Sequence, residues 1–274
     1  MDHRTDEAHV GARQGAGERV MQTARRIGPQ YRAAPVREAG RWWMNQLAHR
    51  MLFAVPALPD LVTTLDQTFA FLRVWSYLHR AQVPGDYLEF GVFRGQSFIV
   101  ALETAGKVMK RARGTRRFFA FDSFTGLPHP DAEKDAGVFR AGDDASGEQV
   151  FRRHIARAAR GWQVIVVPGF YDKSLTDSLR RAHDMRQAAF VTVDCDLYPS
   201  TVDVLRFITP LVGTGTVLYF DDWNFAGGDL TRGEPRACHE WLAKNPDITL
   251  IDFGRVGGMG QLFLVNRAAR QVSP

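Results

Sequence analysis

The length and composition of the chain limit what it can be. Its 274 residues are 45% hydrophobic and 24% charged, which is enough for one large core and favours one domain over two. The two cysteines, Cys195 and Cys238, have neither metal-ligand nor redox-motif spacing, so neither a disulfide framework nor a zinc site is expected. No apolar run has the length of a membrane span, and the first residues are charged rather than those of a signal peptide. We therefore expect a cytoplasmic protein without a membrane span.

The net charge of +5 is concentrated in the N-terminal part of the chain. Residues 1–50 contain nine arginines and five acidic residues, a charge of +4, which leaves +1 for all the rest. The rest carries no basic stripe with interleaved aromatic residues, so nucleic acid is not expected as a partner. We interpret residues 1–40 as a basic, mobile N-terminal arm.

Residues 41–83 contain two apolar patterns with helical spacing. Three roles are open for this helical segment: a lid over a substrate, a surface for homodimerisation, or packing. We favour packing or homodimerisation. The first pattern includes Trp42, Trp43, Leu47, Met51, Leu52 and Phe53, and the second, after a turn at residues 56–60, includes Leu61, Leu65, Phe69, Leu72, Trp75 and Leu78.

Strand patterns alternate with helical patterns from residue 84 to residue 267. The strand candidates are residues 87–90, 117–121, 163–167, 189–193, 216–220, 248–253 and 261–265. The last two are separated only by the glycine-rich residues 254–260, which are too few for a crossover helix, so these two strands should be antiparallel. The expected fold class is α/β, with a doubly wound, mostly parallel seven-stranded sheet, a C-terminal antiparallel hairpin and N-terminal helices. Residues 268–274 are expected to form a tail.

The pattern of strand, glycine turn and helix at residues 85–97 is typical of a ligand-binding turn. Gly91 and Gly95 follow an apolar strand that carries Glu89, and a helical pattern begins near Ser97. Glycine lets a ligand approach the backbone, and the following helix offers unpaired N–H groups. The alternative is a turn that only allows tight packing, since the spacing differs from that of dinucleotide sites.

Polar residues also follow the other predicted parallel strands. In open α/β sheets, ligands bind at the carboxyl ends of the strands. Asp122, after the second strand, is placed to accept hydrogen bonds from a ribose; the alternative is an Asp that only caps the next turn. Gly169 follows the third strand.

An acidic cluster is expected after the fourth and fifth strands, formed by Asp194, Asp196, Asp221 and Asp222. Neighbouring carboxylates repel one another unless protons or a cation intervene, and Mg²⁺ prefers such oxygen ligands. If the strand extends this far, alternation places Asp194 and Asp196 on one side and Cys195 on the other; the alternative is that the strand has already ended. The alternative is that these residues cap helices and turns.

Five segments, taken together and in this order, resemble class I S-adenosylmethionine-dependent methyltransferases of the macrocin O-methyltransferase type. That family acts on sugar hydroxyls of macrolide and aminocoumarin antibiotics and of related glycosides. The resemblance spans roughly residues 85–265 and implies a Rossmann-like methyltransferase fold, with residues 84–267 as the catalytic domain. The segments are LEFGVFRGQS (88–97), FDSFTGLP (121–128), VVPGFYDKSL (166–175), VDCDLYPST (193–201) and YFDDW (219–223).

The resemblance also implies the ligands and the residues that bind them. S-adenosylmethionine would be the cofactor and Mg²⁺ the metal, and Asp194 would act as the general base. The implied cofactor-binding residues are Glu89, Gly91, Gly95 and Ser97 for the methionine part, Asp122 for the ribose, and Ser123 and Gly169 beside them; the implied metal ligands are Asp194, Asp221 and Asp222.

Two departures from the family pattern concern the acceptor. The usual LDGDMYES becomes VDCDLYPS at residues 193–200, and YFDDWN at residues 219–224 replaces a VDDY type of ending. Both changes retain the implied metal ligands. The residues around these ligands, which would shape the acceptor pocket, differ from those of the family pattern.

The expected reaction is in-line transfer of a methyl group to a hydroxyl that metal and base activate. We rank a sugar or glycoside first as the small-molecule acceptor and a catechol-like phenol second; a metal-dependent hydrolase and a non-catalytic binding protein are the rival classes. His129 is the alternative base, and Tyr198 is a candidate substrate contact. The long segment at residues 127–147 and the glycine-rich segment after the fifth strand are candidate lids.

Overall fold

The computed structural model describes residues 58–109, 116–135 and 137–268, together with Met44, Gln46 and Leu47. The chain divides into two compact units, Met1–Leu58 and Pro59–Pro274, and the fold below is that of the second. The predicted arm at residues 1–40, nearly all of the first helical pattern, and the tail beyond residue 268 lie outside the described residues.

The described residues form a single seven-stranded sheet with helices between the strands. The strand order is β3-β2-β1-β4-β5-β7-β6, in which β1 to β5 are parallel and β7 is antiparallel to both β5 and β6. This arrangement confirms the predicted mostly parallel sheet and its C-terminal hairpin. The elements are α1 (Leu58–Arg80), β1 (Asp86–Phe90), α2 (Gln96–Val108), β2 (Arg117–Asp122), α3 (Glu148–Ile155), β3 (Gln163–Pro168), α4 (Tyr171–Ser174), α5 (Asp177–Ala182), β4 (Ala188–Val193), α6 (Tyr198–Ile208), β5 (Val217–Phe220), α7 (Gly233–Lys244), β6 (Ile248–Val256) and β7 (Gly260–Arg267).

The central strands are buried on both faces because their side chains alternate between two apolar layers. Tyr87 and Phe118 belong to the layer that contains α1 and α2, whereas Leu88 and Phe119, one residue later, belong to the layer that contains α6 and α7. Burying one such large side chain contributes about 1.5–3 kcal/mol, so the two layers fix both strand register and helix position. In this part of the chain, no helix combines the length and the hydropathy that a membrane span requires.

Helix α1 buries only part of the predicted apolar set. Phe71 and Trp75 are fully buried and pack edge-to-face on Phe190 of β4, at ring distances of 5.0 and 5.7 Å. By contrast, Leu65 and Phe69 of the predicted apolar stripe are 45% and 61% exposed. The helix itself was predicted correctly. Trp75 and Leu78 of the predicted set are buried, and Phe71, which lies outside that set, is buried with them.

Candidate functional site

A cavity of about 980 Å³ opens at the carboxyl ends of the parallel strands. This is the edge at which open α/β sheets bind ligands, and the volume is that of a small-molecule site. Residues from the loops after β1, β2, β3 and β4 line it, including Gly91, Asp122, Tyr171, Asp194 and Asp196.

Glu89 lies inside the sheet at the start of the glycine turn. It is fully buried, and its carboxylate accepts hydrogen bonds from the Tyr87 hydroxyl and from Ser97 Oγ, the latter at 2.5 Å. The pKa of Glu89 is raised to about 8. Burial is the main cause, the hydrogen bonds from Ser97 and Tyr87 oppose the rise, and the charges of Asp221 and Asp122 add to it. The structure therefore brings Glu89 and Ser97 together, as the sequence led us to expect of one binding turn.

Both glycines of the turn have left-handed backbone and close neighbours. At Gly91, φ is +87° and a Cβ would lie 1.6 Å from the Asp194 carbonyl oxygen; at Gly95, φ is +89° and a Cβ would lie 2.8 Å from Ile155. Only glycine fits such positions. Tight packing thus accounts for both residues, and their contact with a cofactor stays a prediction.

Asp122 holds the glycine turn against the end of β2. Its Oδ2 accepts the backbone N–H groups of Val92 and Phe93 at 2.9 and 2.8 Å, and its Oδ1 accepts that of Phe124 at 2.7 Å. A carboxylate has about four acceptor positions, so one remains for a ligand hydroxyl. The turn-capping role named as the alternative is present, and the ribose-binding role stays a prediction.

The other two cofactor-binding candidates lie beside Asp122. Ser123 lines the cavity and its Oγ donates to the Gly126 carbonyl at 2.7 Å. The Gly169 amide donates to the Asp122 carbonyl at 2.9 Å.

The structure assembles an acidic cluster that differs in one member from the predicted metal ligands. Carboxylate oxygens of Asp194, Asp196 and Asp222 all lie within 4.8 Å of one another. Asp221 is not in this group, and its carboxylate accepts the Tyr219 hydroxyl instead. Cys195 is buried in the same apolar layer as Val191 and Val193, and β4 itself ends at Val193.

The electrostatics of this cluster favour a cation. Burial is the main cause that raises the pKa of Asp194 well above its usual value, that of Asp196 to about 6 and that of Asp222 to about 9; repulsion among the neighbouring carboxylates adds to it. Asp222 and Asp196 share a hydrogen bond, and Asp222 Oδ2 is buried without a hydrogen-bond partner among the described residues. Three oxygen ligands and an orphaned carboxylate oxygen fit a hard divalent cation such as Mg²⁺.

Two further acidic residues were missed in the sequence. Glu234, in the first turn of α7, is fully buried, and its Oε2 accepts the Asp222 amide at 3.0 Å. Asp144 lines the cavity, and its charge raises the pKa of Asp196 and of Asp222. An acidic residue in a first helical turn is too common a signal to have singled out Glu234.

The loop at residues 127–147 is tied to the rest of the rim. Its neck is closed by hydrogen bonds between Leu127 and residues 142 and 143, each at 2.9 Å. The carboxylate of Asp135 is nearly fully buried and accepts the amides of Tyr198 and Asp131, both at 2.6 Å. His129, the alternative base, lies in this loop and lines the cavity.

The side chain of Tyr198, the candidate substrate contact, interacts with other residues of the protein. Its hydroxyl donates to Glu240 at 2.6 Å, and its ring lies beneath Lys134 and Arg236. It is not among the residues that line the cavity.

Comparison with known proteins assigns the chain to a family. Residues 68–238, more than half of the chain, match the family described as Macrocin-O-methyltransferase (TylF). The chain belongs to this family. All five segments that carry the resemblance lie within the matched residues 68–238. The resemblance to macrocin O-methyltransferases is therefore confirmed.

Two curated relatives are similar over part of the chain. The 8-demethyl-8-(2,3-dimethoxy-alpha-L-rhamnosyl)-tetracenomycin-C 4'-O-methyltransferase of Streptomyces olivaceus is 30% identical over 154 residues, which cover 52% of this chain and 54% of that protein. The mycinamicin III 3''-O-methyltransferase of Micromonospora griseorubida is 29% identical over 153 residues, which cover 53% and 57%. The match spans about half the length of these relatives.

Two solved structures have a similar fold. The O-methyltransferase NovP is 24% identical with a TM-score of 0.60, over 74% of this chain and 80% of NovP. The calicheamicin methyltransferase CalS11 is 21% identical with a TM-score of 0.57, over 80% of this chain and 90% of CalS11. These similarities confirm the Rossmann-like methyltransferase fold.

Proposed function

We propose that this member of the macrocin O-methyltransferase family transfers a methyl group from S-adenosylmethionine to a sugar hydroxyl of a glycosylated small molecule. One observation carries the proposal: the acidic cluster and the glycine turn meet in a single cavity, since Gly91, Asp194 and Asp196 all line it. The names of the two curated relatives, which specify O-methylation of a rhamnosyl-tetracenomycin and of mycinamicin III, support the acceptor class.

The glycine turn and the end of β2 are the proposed cofactor site. The cofactor, when bound, supplies an electrophilic methyl group on a positively charged sulfonium. Glu89 and Ser97 form one hydrogen-bonded unit in the turn, and Asp122 retains an acceptor position for a ribose hydroxyl. Asp122, Asp144 and Asp196 line the cavity, and acidic side chains of this kind suit a cationic cofactor.

The acidic cluster is the proposed acceptor-activating site. Asp194, Asp196 and Asp222 would hold a Mg²⁺, which when bound orients a neighbouring hydroxyl and lowers its pKa. Asp194 lines the cavity, which supports its proposed role as the group that would accept the proton of the attacking hydroxyl. For Asp221, the remaining ligand implied by the resemblance, we propose a different role: its carboxylate accepts the Tyr219 hydroxyl and so supports the end of β5.

Two loops are proposed to cover the acceptor and limit water. The ring of Phe139, in the loop at residues 127–147, stacks on that of Phe225, in the loop after β5, with centroids 5.0 Å apart. The Gly233 amide donates to the Lys134 carbonyl at 2.7 Å. Such cover would restrict solvent at the reacting hydroxyl.

Homodimerisation through the helical segment at residues 41–83 is also proposed. Leu61, Leu65 and Phe69 form an exposed apolar stripe on α1, which supports it. Sedimentation of the wild type and of Phe69→Glu is the test, and a wild type that stays monomeric at high concentration removes this proposal.

The experiment that tests the function has two arms. Calorimetric titration with S-adenosylhomocysteine, with and without Mg²⁺, should give binding to the wild type and loss of binding to Asp122→Ala. Methyl transfer from labelled S-adenosylmethionine to a panel of glycosides and catechols should give products with glycosides and require Mg²⁺. Absence of cofactor binding in every condition overturns the methyltransferase proposal, and transfer only to catechols overturns the acceptor class.

A further inference from the structure

Glu234 is a buried carboxyl group that the proposed reaction does not use. It is fully buried at the first turn of α7, more than ten residues beyond the acidic cluster in sequence. Its Oε2 accepts the backbone N–H of Asp222 at 3.0 Å. Its Oε1 is buried and has no hydrogen-bond partner among the described residues. A buried acidic side chain is costly, so its retention calls for a specific task.

The backbone of Asp222 lies just beyond the sheet, where pairing with β4 stops. The Asp221 amide still donates to the Val193 carbonyl at 3.0 Å, which extends the parallel ladder by one residue. The next amide, that of Asp222, faces the other edge in a regular strand, and it donates to Glu234. On its other side, the Asp222 carbonyl accepts the Phe225 amide at 3.0 Å. The side chain of Glu234 thus accepts a backbone N–H just beyond the end of β5, at the residue that carries the cluster's third carboxylate.

Helix α7 is a rigid support for this contact. Ala237, Cys238 and Trp241 are buried in the apolar layer shared with α6, so the helix cannot shift freely. The first turn of a helix also favours an acidic side chain because its N–H groups are unpaired and its dipole is positive there. The position of Glu234 is therefore set by the core rather than by a surface loop.

We propose that Glu234 is a positioning residue that holds the Asp222 backbone and thereby sets the affinity of the Asp194, Asp196 and Asp222 cluster for a divalent cation. The inference rests on the metal-binding half of the proposed function. Residues that orient metal ligands typically contribute 10- to 100-fold to metal affinity. The length of the side chain matters here, because its oxygen has to reach the Asp222 amide.

The test compares two conservative variants. Glu234→Gln keeps the length and an acceptor oxygen but loses the charge, whereas Glu234→Asp keeps the charge but withdraws the acceptor by one methylene. Mn²⁺ binding to the cofactor-free protein, followed by electron paramagnetic resonance, should be within about 3-fold of wild type for Glu234→Gln and about 10- to 100-fold weaker for Glu234→Asp. Glu103→Gln and Glu103→Asp, at an exposed position of α2, are matched controls.

Amide hydrogen exchange gives a second readout that needs no metal. The Asp222 amide should be protected in the wild type and in Glu234→Gln, and should exchange faster in Glu234→Asp. Mn²⁺ affinity that follows charge, with Glu234→Gln weak and Glu234→Asp like wild type, overturns the inference. If the wild type binds no Mn²⁺, the metal site fails and this inference fails with it. If the wild type and Glu234→Asp bind Mn²⁺ equally, only the role of Glu234 fails.

Discussion

Gly91 and the carbonyl group of Asp194 are in such close contact that a Cβ on residue 91 would lie 1.6 Å from the carbonyl oxygen. The Asp194 amide is also held, by the Phe90 carbonyl at 2.9 Å. The proposed cofactor turn and the proposed metal ligand are therefore parts of one packed unit. A displacement at either should disturb the other.

Gly91→Ala is expected to destabilise the fold by roughly 3 kcal/mol or more, because it adds a backbone clash to the strain of a left-handed alanine. Gly228→Ala is the matched control, since Gly228 has φ of +80° but no atom within 4 Å of a built Cβ. That control should lose only about 1 kcal/mol. Urea unfolding of both variants measures the difference, and equal losses would show that the contact with Asp194 is relaxed in solution.

Substitutions in the acidic cluster distinguish the metal ligands proposed from the structure, which include Asp196, from those implied by the family resemblance, which include Asp221. Asp222→Asn and Asp196→Asn should weaken Mn²⁺ binding at least about 10-fold, since each removes an oxygen from the cluster. Asp221→Asn keeps an acceptor for the Tyr219 hydroxyl and should change the affinity by less than about 3-fold. Calorimetric titration with Mn²⁺ measures all three. The reverse order, with Asp221 more important than Asp196, would restore the set implied by the family resemblance.

The sequence predicted the sheet well because the signals that define it are local. Each buried strand is an apolar run with a polar end, and glycines mark the turn after β1. The members of the acidic cluster depend on contacts far apart in sequence. β5 ends at Phe220, so strand alternation does not fix where the side chains of Asp221 and Asp222 point. Tyr219 holds one of them and Glu234, from the next helix, holds the other.

The same limit applies to α1. Its spacing identified the helix but not which of its apolar side chains are buried, since Phe71 and Trp75 pack on the sheet whereas Leu65 and Phe69 are exposed. Only the opposing surface of Phe190 and its neighbours on the sheet selects between them. Selection of this kind is a property of packing and leaves no periodic signal.

Glu89 should make stability depend on pH. Its pKa is about 8 in the folded protein against 4.5 when unperturbed, so between these values the folded state holds a proton that the unfolded state has lost. Its contribution to stability is therefore fully present below about pH 4.5 and falls as pH rises to about 8, by up to about 1.4 kcal/mol per pH unit. Glu89→Gln mimics the protonated form and should lack this slope.

Urea unfolding at several pH values between 5 and 8 isolates the effect of Glu89. The stability of Glu89→Gln minus that of the wild type should increase steadily with pH, because other titrating groups cancel in the difference. Glu103→Gln, at an exposed position, should give a flat difference. A flat difference for Glu89→Gln as well would mean that Glu89 is ionised in the folded protein at neutral pH.

Asp135 is expected to hold the rim loop closed. Its two carboxylate oxygens accept the amides of Tyr198, at the start of α6, and of Asp131, within the loop. Asp135→Ala removes both acceptors and leaves two N–H groups without a partner, at a cost of about 1–3 kcal/mol for each one that stays buried. The loop should therefore open more often, while the sheet and the glycine turn stay intact.

Hydrogen exchange followed by mass spectrometry measures this opening. Peptides from residues 127–147 should exchange about 10-fold faster or more in Asp135→Ala, whereas peptides from β1 and β4 should be unchanged, because opening by 1.4 kcal/mol corresponds to a factor of ten. Asp229→Ala, an exposed residue of the other rim loop, is the control. Since the loop is proposed to cover the acceptor, KM for a glycoside should rise more than the dissociation constant for S-adenosylhomocysteine. Equal exchange in both variants would show that the loop is held by its Phe139 contact with Phe225 rather than by Asp135.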